Sequence, residues 1–426
     1  YQLRLANNEF ELQYALAASG VVQKSKYSGL GSDTTKSGIA SPEMNLKTKW
    51  GTSAALNVDN NLNNNNSFNP ILNLTVTQPL LRGGGSSANE AALKDALDNE
   101  WLNKLSLQQS VIDQITQVII SYRALILSAN NLQNQKLQLK EAKKSFEINK
   151  KKIDAGQLEP TGNIQPSYQI ESLSLMVEQG DNDFQTASLE LLQAIGLDPD
   201  MHLSVPSDIA VKKLLVPNLK ESIDLALSHN AQYLALQMAL RADERAYAVA
   251  KNQQLWQLDL SGSVQSGLVN DPVSNVNGAR TIYNGNNTTE AASLTLTIPF
   301  HDIGRRSQLV NAKVKLEKDR INLIAAKRAL ITQVTNTIHT IESLVKRYQL
   351  AQKQVHLAEQ SYNLEKKKQQ AGITSALDVN NTQNQLIQSQ SGLIGAKMAY
   401  LNQLSALQRT LGTTLKYWDI HLRYGG

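Results

Sequence analysis

Four stretches of the chain alternate apolar and polar residues, and two much longer ones repeat apolar residues with helical spacing. Even positions Met44, Leu46, Trp50, Ala54, Leu56 and Val58 are apolar against Asn45, Lys47, Lys49, Ser53, Asn57 and Asp59. Phe68, Leu72, Leu74 and Val76 repeat the pattern against Asn69, Asn73, Thr75 and Thr77. So do Trp256, Leu258, Leu260, Val264 and Leu268, and then Ala292, Leu294, Leu296, Ile298 and Phe300. A period of two predicts half-buried strands. The Asn-rich stretch between Asn57 and Asn69 and the Gly/Asn-rich run from Asn270 to Thr289 read as exposed hairpin tips. From about Ser86 to Asp154, and from about Arg305 to Gln370, no proline interrupts the chain. Each stretch predicts roughly 100 Å of helix.

Both helices carry apolar heptads. The second shows Val334, Ile341, Tyr348, Val355 and Tyr362 beside Ile331, Ile338 and Val345, with a separate edge at Leu323, Leu330, Leu344, Ala351 and Ala358. The first shows Ile112, Ile119 and Ile126 with Ile115 and Tyr122, and separately Val111, Val118, Leu125, Leu132 and Leu139. A two-stranded coiled coil needs one seam. Two seams predict two neighbours per helix, as in a sheet of helices that can curl into a tube; an ordinary long bundle is the alternative.

The chain reads as a duplicated unit. Leu74-Thr75-Val76-Thr77-Gln78-Pro79 matches Leu294-Thr295-Leu296-Thr297-Ile298-Pro299, with the prolines 220 positions apart. Ala155-Gly156 matches Ala371-Gly372 and Gly196 matches Gly412, both at an offset of 216. The shorter offset predicts about one extra turn in the first long helix. The first repeat is expected over 1–220: a helix from Tyr1 to about Lys26, a β-hairpin at about 44–82, a helical hairpin at about 86–196 and a linker at about 197–218. The second, over 221–426, has a helix at about 219–253, a β-hairpin at about 256–301, a helical hairpin at about 305–412 and a C-terminal tail.

Composition narrows the class. Of 426 residues, 41% are hydrophobic but only 5% aromatic, which suits narrow helical seams better than one wide core. With 0 Cys there is no disulfide framework, thiolate metal site or Cys nucleophile. A net charge of +5, spread along helices, does not point to nucleic acid. No stretch approaches 18 uninterrupted apolar residues; the longest, Val118 to Ala129, contains Arg123. The opening Tyr1-Gln2-Leu3-Arg4 lacks signal-peptide character, so a signal is expected to be absent or already removed.

Four amphipathic strands cannot close a barrel alone, since about eight is the practical minimum. Copies that each contribute strands can, and apolar-out, polar-in alternation is what a membrane barrel needs. A chain without a membrane helix can span a membrane in this way.

The motif around Pro79 and Pro299, the Ala-Gly turn followed by Asp378-Val379, and the closing Leu404, Leu407 and Gly412 resemble TolC-type outer-membrane efflux and secretion channels over nearly the whole chain. The resemblance implies an α+β membrane fold: a homotrimer with a twelve-stranded transmembrane barrel, four strands per protomer, continued by a twelve-helix tunnel across the periplasm. It implies transport without covalent chemistry or cofactor, a periplasmic adaptor as direct partner, an inner-membrane transporter as indirect partner, and outer-membrane lipid around the barrel. It also implies that the N-terminus is truncated, so that any lipidated Cys there is not seen.

The turns are the candidate sites. Ala155, Gly156, Leu158, Ala371, Gly372 and Ile373 are the expected adaptor contacts, with Lys150, Lys151, Lys152, Lys366, Lys367 and Lys368 beside them; helix-end stabilisation by the cations is the alternative role. Family resemblance places Asp378 at the constricted entrance, where three carboxylates would favour cations. A helix N-terminal charge is the alternative. Gly162 stands where a matching acid is expected and Asn381 where a second would follow, with Glu159 as a candidate substitute, so the acidic gate is expected to be weak.

Gly83-Gly84-Gly85-Ser86-Ser87 lacks the Lys of a phosphate loop and reads as a swivel capped by Ser86 or Ser87. The six histidines show no ligand spacing, and no nucleophile elbow is present, so no enzyme is expected. The remaining rival is a periplasmic coiled-coil adaptor or scaffold without a membrane barrel.

Overall fold

The computed structural model describes residues 1–27, 31–63, 68–157, 159–206, 209, 214–267, 282, 288–371 and 373–423. In chain order these form α1 (Gln2–Asn8), β1 (Gln13–Tyr27), β2 (Gly31–Lys47), β3 (Ser53–Asn63), β4 (Phe68–Pro79), α2 (Ser86–Asn89), α3 (Ala91–Asp154) and α4 (Ile164–Ile195). Then follow α5 (Leu219–His229), α6 (Ala231–Asn252), β5 (Gln257–Gly267), β6 (Thr288–Thr297), α7 (Ile303–Gln370), α8 (Ala376–Thr410) and α9 (Thr414–Tyr417). There are two compact units, Tyr1–Lys104 with Ala235–Ile324 and Leu105–Leu234 with Ala325–Gly426.

The first unit holds one six-stranded antiparallel meander in the order β1-β2-β3-β4-β5-β6. Two of these strands correct the expectation of four. The helix read from Tyr1 to about Lys26 ends at Asn8, and β1 follows, because Tyr14, Leu16, Ala18 and Val22 alternate with Gln13, Ser19 and Gln23. The stretch Met44 to Val58, read as one strand, reverses instead. Thr48 N–H donates to Thr52 O at 2.8 Å, and Gly51 takes the left-handed φ of 93° that the turn requires. Pro42 interrupts the ladder between β2 and β3, whose pairs stop at Ala40↔Asn60 and resume at Glu43↔Asn57. A proline has no N–H to give.

Two further expectations change at the helix entry. The extra residues behind the shift in offset precede the long helix: α3 has 64 residues and α7 has 68. They occupy the Gly83–Glu90 swivel, where Gly85, not Ser86 or Ser87, is the N-cap of α2 and no side chain caps it. Asn89 Nδ2 instead donates to Gly83 O at 2.7 Å and Gly85 O at 2.9 Å. Arg245 of α6 binds Asp95 at 2.7 Å and Asp98 at 2.5 Å of α3, and Lys315 of α7 binds the buried Asp243 of α6.

In the second unit α3 lies between α4 and α8. Leu125 packs on Ala187 and Leu191 of α4, with Val118 and Phe184 around them. Arg123, on the opposite side, donates to Asn402 Oδ1 at 3.1 Å and Ser405 Oγ at 3.0 Å of α8. Burial lowers its pKa to about 10, with Tyr417 opposing, so the charge survives at neutral pH. Of the heptad residues, Ile112, Leu125, Ile126, Val334 and Ile341 are fully buried. No run of 18 uninterrupted apolar residues is present, as expected, although one 18-residue window of α3 reaches a mean hydropathy of 1.2. Its helix is engaged by α4 and α8 rather than free for lipid.

The helix ends at Gly156 and Gly412 separate conformation from packing. Both have left-handed φ, 72° and 66°, but a Cβ at Gly156 meets nothing within 4 Å, while at Gly412 it would lie 2.7 Å from His229 O. Gly156→Ala is expected to cost about 1–2 kcal/mol from backbone strain alone. Gly412→Ala is expected to cost a further ~1–3 kcal/mol from overpacking. Thermal unfolding of the two variants checks this; equal melting temperatures would contradict it.

Candidate functional site: an apolar sheet face and two helical turns

Every rung of the sheet joins residues of equal parity. One rung runs Tyr14↔Met44↔Leu56↔Leu74↔Val264↔Glu290, and the next odd one runs Gln13↔Asn45↔Ala55↔Thr75↔Ser263↔Ala291. Side chains alternate faces along a strand, so all even residues share one face and all odd residues the other. The even face is apolar and bare: Leu16 is 73% exposed, Tyr14 69% and Leu294 64%, with Val22, Met44, Leu74, Val76 and Leu260 also exposed. Water-exposed apolar area on this scale marks a surface meant for another apolar phase or partner.

The odd face is polar and internally bonded. Asp59 accepts from Ser41 Oγ at 2.8 Å, Asn57 Nδ2 at 3.0 Å and Asn73 Nδ2 at 3.1 Å. Thr77 and Ser261 hydroxyls meet at 3.1 Å across β4 and β5. Exposed Trp50 and Trp256, also even-numbered, stand at the sheet end nearest the helix entries. Lys24, Lys26 and Lys36 occupy even positions toward the opposite end of β1 and β2. Aromatic residues at one border and cations at the other suit the two interfaces of a lipid bilayer. Leu268 and most of the second hairpin tip lie outside the described residues.

At the first helical turn, Gly156 N–H donates to Ile153 O at 2.9 Å and Gln157 N–H to Lys152 O at 2.8 Å, the paired bonds of a Schellman end. At the second, Ile373 N–H donates to Lys368 O at 2.9 Å, the corresponding longer bond. Ala155, Gly156, Ala371 and Ile373 are exposed, with Ile373 at 76%. Leu158 and Gly372 lie outside the described residues. Lys151 and Lys152 close the last turn of α3, and Lys367 and Lys368 that of α7.

Asp378 forms a capping box with Ser375. Its Oδ2 accepts from Ser375 Oγ at 2.6 Å, Thr374 Oγ1 at 3.0 Å and Ser375 N at 3.2 Å, while Ser375 Oγ accepts from Asp378 N at 3.2 Å. These donors, the Ser375 hydroxyl foremost, hold its carboxyl below the ordinary value of 3.8. Asn381 lies exposed on the next turn of α8. Glu159 caps a short 3-10 turn, Pro160–Asn163, and its carbonyl accepts from Gly162 N at 2.9 Å. Among the described residues no hydrogen bond or ion pair joins Glu159 or Gly162 to Asp378 or Asn381.

Sequence reading missed Glu365. It lies near the end of α7, pairs with Lys368 at 3.1 Å, and is held below its ordinary value first by the Thr374 hydroxyl and then by Lys368, against the nearby charge of Asp378. Reflection about the Ala371-Gly372 turn would have found it, since Glu365 and Asp378 sit equally far from that point. Among the described residues no three His, Asp or Glu gather as a metal site.

Residues 222–413 match the outer membrane efflux protein family. The chain is 21% identical over 342 residues to the alkaline protease secretion protein AprF of Pseudomonas aeruginosa, covering 79% of this chain and 68% of that protein. Its fold matches VceC of Vibrio cholerae with a TM-score of 0.69 and 16% identity, over 96% of this chain and 89% of the other. It matches the CmeC channel of Campylobacter jejuni with a TM-score of 0.69 and 14% identity, over 98% and 82%. The apolar sheet face and the capped helical turns agree with these likenesses: residues 222–413 match an outer membrane efflux protein, the fold is that of outer-membrane channels, and together they indicate an outer-membrane location extending into the periplasm.

Proposed function

We propose that three copies of this chain form a conduit that exports small molecules or polypeptides from a tripartite efflux pump or a type I secretion system. The carrying observation is the bare apolar even face backed by a bonded polar odd face: lipid covers the first, and water and cargo meet the second. The secretion role of AprF supports polypeptides among the cargo.

The helical layer supports self-assembly. Its order in the second unit is α4, α3, α8, α7, and both outer helices keep exposed heptads. On α4 these are Tyr168 at 70% and Leu175 at 73%; on α7, Leu350 and Leu357 at 64% and Leu364 at 55%. Each unfilled ladder is the half-seam that a second copy completes. The chain is read as two repeats, 1–220 and 221–426, and the like hydrogen bonds at Lys152–Gln157 and Lys368–Ile373 support that reading.

The exposed turns at Ala155, Gly156, Ala371 and Ile373, with Leu158 and Gly372, are the docking points for a periplasmic adaptor that links the conduit to an inner-membrane transporter. Asp378 is the main gate charge, joined by Glu365 across the same turn; at the first turn Glu159 substitutes weakly for the acid missing at Gly162, and Asn381 leaves the second turn without a second acid after Asp378. Three symmetry-related carboxylates at an entrance favour cations and multivalent blockers.

Two outcomes test this reading. Leu357→Glu places a charge in the inter-copy seam and is expected to weaken assembly by about a hundredfold or more, read by native mass in detergent; an undiminished trimer would remove the seam. In planar bilayers, Asp378→Asn is expected to move the reversal potential toward zero. Because the folded pKa is depressed, the Asp378 charge persists above the ordinary 3.8 and is lost only as pH falls through the lowered value. Wild-type cation preference is therefore expected to stay constant from pH 7 to about pH 4; titration near pH 6, or equal reversal potentials in both proteins, would contradict the assignment.

A further inference from the structure

The sheet has more strands than a four-strand contribution allows, and the surplus is not peripheral. The β2 strand pairs with β3 from Ser37↔Asn63 to Lys47↔Ser53, so the outer edge of β3 is already occupied. A barrel built from β3, β4, β5 and β6 alone would need that edge for the neighbouring chain. The open edges of this chain are instead β1 and β6.

The β1–β2 hairpin also has the character of a membrane-crossing one. On β1, even positions Tyr14, Leu16, Ala18, Gly20 and Val22 give a nine-residue apolar run, and Lys24 and Lys26 follow it. On β2, Gly38, Ala40, Pro42, Met44 and Leu46 give the same length, with Lys36 beyond. A tilted strand needs roughly nine to eleven residues to cross the hydrocarbon, so both runs fit and both end in cations at headgroup depth. Their apolar face is continuous with that of the other four strands, because every register pair keeps parity.

We propose that all six strands stand in the membrane wall and that the wall closes by pairing β6 of one copy with β1 of the next. Unpaired edge N–H and C=O groups in hydrocarbon cost several kcal/mol each, so both edges must find partners. Six strands are too few to close on themselves. A two-fold β1–β1 or β6–β6 contact would turn the second copy upside down and place its helices across the membrane. The head-to-tail contact keeps all copies the same way up, and an even number of alternating strands makes β6 antiparallel to the next β1. This rests on the trimeric reading only for its total: three copies of six strands give eighteen.

The consequence is width. Barrel diameter grows about linearly with strand number, so eighteen strands enclose a bore about one and a half times as wide as twelve, in the range that leaves an aqueous channel. The facing side chains are largely Ser, Thr, Asn and Gln, with Glu43, Asp59 and Asp259 against Lys47, so this outer section is polar with a mild acidic bias and passes bulky polar cargo.

The sequence has 0 Cys, so cross-linking between introduced cysteines is unambiguous. Ser293→Cys on β6 is combined with Ala15→Cys, Ala17→Cys or Ser19→Cys on β1, all odd-face positions, and separately with Ala55→Cys or Asn57→Cys on β3. Neither β1 nor β3 adjoins β6 within a chain, so any disulfide joins two copies. The protein in outer membranes is oxidised, and native mass is measured in parallel. A trimer with β6–β1 disulfides that collapse on reduction is the expected result. A trimer with β6–β3 disulfides, or with neither, overturns the six-strand wall and leaves the trimer standing. Loss of the trimer itself, with β6–β1 disulfides retained in another closed assembly, overturns the eighteen-strand total and the proposed assembly but keeps the wall.

Discussion

In hydrocarbon a backbone N–H or C=O can bond only to protein, and this constraint orders the rest of the molecule. It requires strands to be fully paired and a sheet to have no free edge. The sheet here meets the first condition internally, through five antiparallel ladders, and the proposed assembly would meet the second by pairing its open edges β1 and β6 with other copies. The parity of its register gathers the apolar side chains on one face and the polar ones on the other. One odd-sum rung would put apolar side chains of neighbouring strands on opposite faces, and neither face could then meet lipid or water cleanly.

The helical unit solves a different problem, that of holding long helices side by side in water. Its cores are narrow seams, such as Leu125 against Leu191, reinforced by polar contacts such as Arg123 to Asn402 and Ser405. Single seams do not saturate a helix. The exposed ladders on α4 and α7 parallel the open edges β1 and β6 of the sheet, so each unit carries unfilled surface of the kind the proposed assembly uses. At the turns, Schellman bonds and the Ser375–Asp378 box stop the helices abruptly and leave short exposed loops, as the proposed docking and gating roles require.

Much of this was legible in the residues. Alternation at Leu258 to Val264 and at Leu294 to Leu296 marked β5 and β6, and helical heptads marked α3 and α7. The reversal at Thr48–Thr52 was not, for a physical reason. Met44, Leu46, Trp50, Ala54 and Leu56 remain even through the turn, and a turn that preserves parity leaves the alternation unbroken. The β1 strand was hidden by Ala15, Leu16, Ala17 and Ala18, which have high helix propensity and take strand form through pairing with β2. Glu365 was missed because its proximity to Asp378 is created by the fold of the turn rather than by spacing along one helix.

Whether the even face of the sheet lies in lipid and the odd face in water is open to direct measurement. Single cysteines carrying nitroxide labels are scanned along the paired stretches 71–77 and 258–265, in reconstituted outer-membrane lipid, with oxygen and a polar nickel chelate as competing relaxants. A strict period of two is predicted, with oxygen dominant at Leu72, Leu74, Val76 and Leu260 and the chelate dominant at Asn73, Thr75, Thr77 and Ser261. Equal access of the chelate to both faces, or the opposite phase, would contradict it.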